Sequence, residues 1–256
     1  MTILASGRIW DLVLFIVLSV TMGYYLWRIS TGKPLPKIRS LPAFDAIEEG
    51  VGRAVETGKM VYVDAGIGGL TSGPYVPMTM AGLNVYRYVA RLCARRGARC
   101  VFGTRNTQLL PVARGIMEEA YKAEGKIEEY NPDNVKYFPL TQRTATFMVE
   151  EGTACEILVG AWTTACLIIL GASARAGAIA IGGTARWIMN YAFGIAADYI
   201  FILEDIYAAG AVATGDPVIT TTLAVEDVIK IITLALIAIG IVAALLGYDF
   251  GAFMAL

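Results

Sequence analysis

The chain has 256 residues, of which 56% are hydrophobic and 17% are charged, whereas soluble domains average about 45–50% apolar and about 25% charged residues. This composition points to a membrane protein, and the net charge of -1 argues against a general nucleic-acid-binding role, which needs a strongly basic surface. The sequence has no histidine, which excludes Ser-His-Asp and Cys-His catalysis, histidine-ligated haem and histidine-containing zinc sites.

The first predicted element is a membrane helix within residues 1–29. Residues 12–27 carry no charge, and with Ile9 and Trp10, on the other side of Asp11, they reach the length of a spanning helix. Trp10 lies at one end and Tyr24 and Trp27 at the other, as in the aromatic belts of membrane helices. The alternative is a signal peptide, but aromatic residues stand where its small-residue cleavage site would follow. We therefore predict a retained anchor.

Residues 30–58 are predicted to form a tether and a short amphipathic helix. Three prolines between residues 32 and 42 favour an extended chain. From residue 43 to residue 57, apolar side chains recur at helical spacing and charged side chains take the other positions. Gly58 suits the end of this helix.

Residues 59–217 alternate between short apolar runs and helical patterns. Strands that are buried on both faces of a parallel sheet read as continuous apolar runs, so the pattern predicts a Rossmann-like α/β domain with a mostly parallel sheet of about six strands. The predicted strands are residues 60–63, 99–102, 135–138, 155–159, 178–181 and 199–203.

The alternative for this region is a multi-pass membrane bundle. Residues 157–174 carry no charge and are long enough to span a bilayer. Gly160 and Gly171 interrupt the run where a strand and a helix would end, and only 10 residues separate Arg175 from Arg186. We favour the sheet, although short apolar runs leave the multi-pass alternative open.

In the sheet interpretation, the helix over residues 163–174 is apolar nearly all round. A surface helix of a monomer is normally amphipathic. An apolar one needs a second partner, which is another subunit or the membrane. This helix is the main reason to predict a homo-oligomer.

The last predicted element is a second transmembrane helix within residues 218–256. Residues 231–248 carry no charge and span roughly 27 Å as a helix, close to the hydrocarbon thickness. The alternative is a buried core helix. Only Arg8 precedes the first helix, whereas four basic residues follow it within residues 28–39. The positive-inside rule therefore places the central domain in the cytoplasm and both termini outside.

A cytoplasmic central domain agrees with the cysteines, which should stay reduced there. Their spacing contains no C-x-x-C pair, so neither a metal clip nor a thioredoxin-like motif is predicted. The four cysteines are Cys93, Cys100, Cys155 and Cys166.

A glycine-rich turn after the first predicted strand is the main candidate for a ligand site. Such turns bind anions at the carboxyl ends of strands in open α/β sheets. The match to G-x-G-x-x-G fails because Thr71 stands where the third glycine belongs, and G-K-[ST] is absent. The alternatives are a glycine-rich connection without a ligand, an Asp64 that caps its own turn, and arginines that only pair locally. The predicted ligand-binding residues are Asp64, Gly66, Gly68, Gly69, Thr71, Ser72 and Arg105.

Three further features are weaker candidates. Arg143 follows the third predicted strand and could join Arg105 in gripping an anion. Gly182, Gly183 and Thr184 repeat the strand–glycine–helix pattern, which tight-turn chemistry also explains. The acidic pair at residues 204–205 is more typical of a helix cap than of acid–base catalysis. No nucleophile–base pair is found, so the sequence favours a non-enzymatic role.

Four segments carry a resemblance to a known family. They are residues 41–59 (LPAFDAIEEGVGRAVETGK), residues 64–69 (DAGIGG), residues 109–113 (LLPVA) and residues 202–211 (ILEDIYAAGA). They resemble the prokaryotic membrane-protein family known as domain of unknown function 6754 (DUF6754). The resemblance implies a cytoplasmic α/β domain held in a prokaryotic cell membrane by terminal helices. The family brings no established activity, so no catalytic residue is carried over.

The sequence thus supports three hypotheses about function. The first is a membrane-anchored structural or assembly protein that homo-oligomerises in the lipid bilayer, with other subunits of a membrane complex as further partners. The second is a membrane-anchored sensor that binds a nucleotide or another small anion on the glycine-rich turn. The third is a multi-pass channel or transporter component. The sequence identifies no cofactor and no metal site.

Overall fold

The computed structural model describes residues 9–34, 37–71 and 73–248. The chain divides into two units, one made of residues 1–38 and 216–256 and the other of residues 39–215. Among the described residues, the helices are α1 (Ile9–Ser30), α2 (Pro42–Thr57), α3 (Val76–Arg96), α4 (Leu109–Ala123), α5 (Thr141–Glu150), α6 (Cys166–Ala176), α7 (Asn190–Ala196), α8 (Asp205–Thr214) and α9 (Pro217–Leu245). The strands are β1 (Met60–Gly66), β2 (Cys100–Thr104), β3 (Val135–Tyr137), β4 (Thr153–Ala161), β5 (Ile179–Thr184) and β6 (Tyr199–Ile202).

The central unit is built on a six-stranded sheet in the order β3-β2-β1-β4-β5-β6, with every neighbouring pair parallel. This arrangement confirms the predicted mixed α/β fold and its number of strands. All residues of β1, β2, β4 and β5 are buried. Burial on both faces explains why these strands read as continuous apolar runs.

Two layers of helices cover the sheet. Helices α2, α3, α4 and α8 contribute to one apolar core, and α5, α6 and α7 contribute to the other. Side chains alternate between the two layers along β1, where Val61 and Val63 belong to the first core and Met60 and Tyr62 to the second. This alternation follows from the two-residue period of a strand.

The multi-pass alternative for residues 157–174 is wrong. This stretch begins in β4, which pairs with both β1 and β5, and ends in α6. Helix α6 buries Ile169 and Leu170 in the core on this side of the sheet. Part of its apolar surface is therefore covered by its own domain and needs no second partner. Leu167 and Ile168 remain 39% and 41% exposed on its outer side.

The other unit contains two helices that are long and apolar enough to cross a membrane, α1 with 22 residues and α9 with 29. In α1, the Ser19 and Thr21 hydroxyls each donate a 2.8 Å hydrogen bond to the carbonyl four residues earlier. Such bonds satisfy hydroxyl groups that an apolar environment would leave without a partner. Helix α9 begins at Pro217, where the Asp216 carboxylate accepts a 2.7 Å hydrogen bond from the Val218 amide. The helix therefore starts earlier than the charge-free stretch in the sequence.

Candidate functional site

The strand order reverses between β1 and β4, because the chain proceeds outward to β2 and β3 on one side and to β5 and β6 on the other. In open parallel sheets, ligands bind at such a reversal, outside the carboxyl ends of the strands. The connections that follow β1, β2, β4 and β5 therefore define the candidate site in this fold.

Asp64 and Arg105 meet at this edge, as residues of neighbouring strands should. The Arg105 Nη2 atom lies 3.1 Å from Asp64 Oδ2 and 3.3 Å from Oδ1. The Asp64 carboxylate also accepts hydrogen bonds from the Gly66 amide at 2.7 Å and from the Tyr62 hydroxyl at 3.2 Å. The Asp64 side chain is fully buried, and the Arg105 side chain is 10% exposed.

Burial dominates the acidity of Asp64. Removal from water raises its pKa to about 6, although the Arg105 charge and the hydrogen bonds from Gly66 and Tyr62 act in the opposite direction. Burial also raises the pKa of the Tyr62 hydroxyl well above its usual value. Asp64 is therefore mostly ionised at neutral pH and serves as the counter-ion of a buried arginine.

Arg105 has donors that its ion pair does not use. Its guanidinium lies over the Trp162 ring, 4.9 Å from the ring centroid, which is the geometry of a cation–π contact. Among the described residues, the Nε and Nη1 atoms of Arg105 and the Nε1 atom of Trp162 are buried and have no hydrogen-bond partner. Three donor nitrogen atoms on two residues in contact thus lack an acceptor at the reversal point of the sheet.

The glycine-rich turn is held tightly against its neighbours. Gly66 has φ of +87°, and a Cβ there would lie 2.1 Å from the Ala161 carbonyl oxygen. A Cβ at Gly68 would lie 2.1 Å from the Thr79 hydroxyl oxygen. Close packing at both positions, together with a left-handed backbone at Gly66, therefore accounts for these two glycines, whether or not a ligand binds.

Two polar residues after β2 hold the rest of the turn. The Asn106 amide donates to the Gly68 carbonyl at 3.3 Å. Gln108 accepts from the Leu70 amide at 3.3 Å and donates to the Thr71 hydroxyl at 3.2 Å. A Cβ at Gly69 would lie 2.9 Å from Gln108 Oε1. Thr71 is thus bonded to Gln108 at the surface, and the predicted site residue Ser72 lies outside the described residues.

A second arginine, Arg186, lies at this edge of the sheet, and the sequence analysis did not predict it as a site residue. Arg186 follows β5, its Nη1 atom donates to the Trp162 carbonyl at 3.2 Å, and its guanidinium lies 5.1 Å from the centroid of the Tyr75 ring. Trp162 itself was also missed. Both residues come within two residues of the end of an observed strand, β4 or β5, but their role depends on the strand order.

A second buried carboxyl group lies on the same face of the sheet. Glu156 on β4 is in register with Tyr62 on β1 and accepts a hydrogen bond from the Ser173 hydroxyl. Burial raises the pKa of Glu156 to about 8, and the nearby Asp64 charge raises it further, while the Ser173 hydrogen bond lowers it. Glu156 is therefore predominantly protonated at neutral pH. Its position inside a strand gave no sequence signal of a site.

The remaining predicted candidates do not join this group of contacts. Arg143 lies exposed on α5. A Cβ at Gly182 would lie 2.6 Å from the Phe193 ring, so close packing accounts for that glycine. Asp205 pairs with Arg39 at 2.5 Å and accepts from the Ile202 amide at 3.2 Å. Within the described part of the chain, no group of three or more acidic or cysteine side chains could hold a metal ion.

The comparisons with known proteins bear on family and not on activity. A family model described as Domain of unknown function (DUF6754) matches residues 1–255. No curated protein and no solved structure matches the chain. The candidate site therefore rests on the geometry of this chain.

Proposed function

The chain belongs to the DUF6754 family, a domain of unknown function, and we propose that it is a membrane-anchored protein that binds a small anion at the carboxyl ends of its strands. The observation that carries the proposal is the set of three buried donor nitrogen atoms, on Arg105 and Trp162, that have no hydrogen-bond partner among the described residues. Leaving one such donor unpaired costs about 1–3 kcal/mol. An anionic oxygen at this position recovers that free energy through charge-assisted hydrogen bonds.

The burial of these donors limits the size of the ligand. Arg105 is only 10% exposed, and the Trp162 side chain is buried, so what reaches them is a compact group such as a carboxylate or a phosphate. Asp64 balances the charge of Arg105, whereas Arg186 adds a further positive charge at the same edge. The site therefore favours a single anionic group over a neutral ligand.

The test is ligand-induced thermal stabilisation of the full chain in a neutral detergent. Inorganic phosphate and acetate serve as the two probes. A probe concentration of about 100 times Kd stabilises the folded state by about 2.7 kcal/mol. For a protein of this size, that raises Tm by several degrees. Arg105→Lys keeps the charge that faces Asp64 but removes the guanidinium fork, so the shift should fall by at least half.

Arg143→Lys is the matched control, because it makes the same change at an exposed arginine outside the site. It should leave the shift unchanged. The proposal fails if neither probe stabilises the wild type, or if Arg105→Lys retains the full shift while folding normally.

Membrane anchoring is the second part of the proposal. It is supported by α1 and α9, which are long and apolar enough to span a bilayer, and by the excess of basic residues directly after α1. We propose a central domain in the cytoplasm and both termini outside. Protease added to inside-out vesicles should cut the chain within residues 31–41, whereas right-side-out vesicles should protect that segment. The opposite pattern would reverse the topology.

A second candidate function is assembly with further copies of the same chain. We infer that the exposed apolar side chains around α7 form one contact surface of that assembly. Trp187 is 77% exposed and Ile195 is 79% exposed, and Ile188 and Tyr191 lie between them in the sequence with about half of their surface exposed. Apolar patches of this kind mark interaction surfaces. The paired substitution Trp187→Ser and Ile195→Ser should lower the mass of the detergent-extracted assembly, whereas Ile127→Ser should not. A strictly monomeric wild type would exclude this role.

A further inference from the structure

Helix α3 presents a row of arginines on the side of the central unit that faces away from the sheet. Arg87, Arg91 and Arg95 follow one another at four-residue spacing, and all three are exposed. Residues four apart lie on one face of a helix. They border a cavity of about 440 Å³. Its lining also includes Arg96 on α3, Glu48 on α2, and Ala213 and Thr214 on α8.

The acidic partners of this cavity do not neutralise it. Arg91 and Arg95 share one carboxylate, since Arg91 Nε lies 2.7 Å and Arg95 Nη2 3.1 Å from Glu124 Oε1. Hydrogen bonds from both arginines lower the pKa of Glu124 to about 2. Arg96 pairs with Glu48 at 3.0 Å. The carboxylates of Glu124 and Glu48 therefore pair with three of the four guanidinium groups that line the cavity.

Arg87 supplies the uncompensated charge. Across the described residues it makes neither a hydrogen bond nor an ion pair, although it lines the cavity beside Arg91. Within the described part of the chain, its guanidinium would therefore give up no hydrogen bond and no ion pair on binding a ligand. Because two further arginines already share a single carboxylate, the cavity keeps an excess of positive charge that a second anion can balance.

The position of the cavity in the chain suggests where that anion comes from. Ala213 and Thr214, the last residues of α8, form part of the lining. The apolar helix α9 begins at Pro217, only three residues after Thr214. In the chain, the cavity lining is therefore followed directly by a helix that is long and apolar enough to cross a bilayer. The surface of a cytoplasmic leaflet is rich in anionic headgroups, which attract nearby arginines.

We propose that this cavity is a phosphate-binding site, in which Arg87 and Arg91 bind the phosphate of an anionic lipid headgroup. The planar guanidinium forms paired hydrogen bonds with phosphate oxygens, which gives both attraction and orientation. This site is independent of Arg105, since it lies among α2, α3 and α8 and contains no residue of the glycine-rich turn.

The experiment uses the full chain in a neutral detergent, titrated with short-chain phosphatidylglycerol, short-chain phosphatidylcholine or inorganic phosphate. Binding is followed by native mass spectrometry and by the shift in Tm. We expect phosphatidylglycerol to bind, and the Arg87→Gln and Arg91→Gln double variant to weaken that binding at least tenfold. The control is Arg114→Gln with Lys122→Gln, which removes the same charge from exposed positions on α4. It should bind as the wild type does.

The outcomes separate the two sources of phosphate. If phosphatidylglycerol binds and inorganic phosphate does not, the ligand is a lipid headgroup. If both bind, and the double variant loses both, the site recognises the phosphate group itself. Repeating the titration with Arg105→Lys removes any contribution from the other site. Equal binding to the wild type and the double variant, or binding of phosphatidylcholine as strong as that of phosphatidylglycerol, would overturn the proposal. Unchanged Tm values without ligand verify that the variants fold.

Discussion

Asp64 and Arg105 form an ion pair at 3.1 Å between the ends of two adjacent parallel strands, with the carboxylate fully buried. Neither residue is held by this contact alone. The backbone of Gly66 and the hydroxyl of Tyr62 hold the carboxylate, and the Trp162 ring supports the guanidinium. The pair therefore presents the remaining donors of Arg105 in a fixed orientation.

Removal of the carboxylate charge should destabilise the fold. Asp64→Asn leaves the Arg105 guanidinium buried without its counter-ion, and breaking a buried pair in this way costs about 3–5 kcal/mol. Denaturant unfolding of the central unit measures the loss. Asp133→Asn, at an exposed position, should change stability by less than about 0.5 kcal/mol. A loss at Asp64 no larger than that of the control would show that the pair does not support the site.

The raised pKa of Glu156 should make the stability of the protein depend on pH in an unusual way. Its pKa is raised to about 8 in the folded protein, whereas it is about 4.3 in an unfolded chain. The folded state therefore holds a proton that the unfolded state has released, so stability falls as pH rises from about 4.5 and levels off above pH 8. The limiting slope is about 1.4 kcal/mol for each pH unit.

Glu156→Gln should remove this slope between pH 6 and pH 8, and the variant should be more stable than the wild type at pH 9. The pKa of Asp64 is about 6 in the folded protein. Its own effect, a loss of stability as pH rises, therefore falls mainly below pH 6. Unfolding curves at pH 6, 7, 8 and 9 test the prediction, with the exposed Glu150→Gln as control. A slope shared by wild type and Glu156→Gln would assign the pH dependence to another group.

Two glycines with similar backbone angles should respond very differently to alanine. Gly66 and Gly125 have φ of +87° and +70°, but only the Cβ at Gly66 meets backbone, 2.1 Å from the Ala161 oxygen. Gly125→Ala should cost about 1–2 kcal/mol of backbone strain. Gly66→Ala adds overpacking to that strain and should cost about 3–5 kcal/mol. Similar losses in the two variants would show that the β1–β4 contact yields easily.

The fold was predictable because its strongest signal is local. Each buried strand is a short β-branched or apolar run, and the six predicted runs coincide with the six strands to within a few residues. The predicted ends were less accurate because glycines were taken as turns. Gly103 lies inside β2, where a Cβ would sit 1.9 Å from the Tyr62 hydroxyl oxygen. Such a glycine makes room for a large side chain on the neighbouring strand, and its sequence pattern is that of a turn.

The site was only partly predictable, because it depends on which strands become neighbours. Asp64 and Arg105 follow consecutive strands, and consecutive strands are often adjacent, so their meeting could be predicted. Trp162 and Arg186 reach the same edge only because β4 lies beside β1. That adjacency is set by packing across the whole sheet, and no local pattern reveals it. Glu156 was missed because a protonated carboxyl group inside a strand has no local signature.

The most direct test of the central claim is a high-resolution cryo-electron microscopy map of the full chain, extracted gently from its native membrane, with native mass spectrometry on the same sample. We predict density for a small anion with an oxygen within about 3 Å of Arg105 Nη1 or Trp162 Nε1, and a matching mass that is lost in Arg105→Lys. A map in which these donors contact only ordered water or protein acceptors, with no bound mass, would contradict the proposed function.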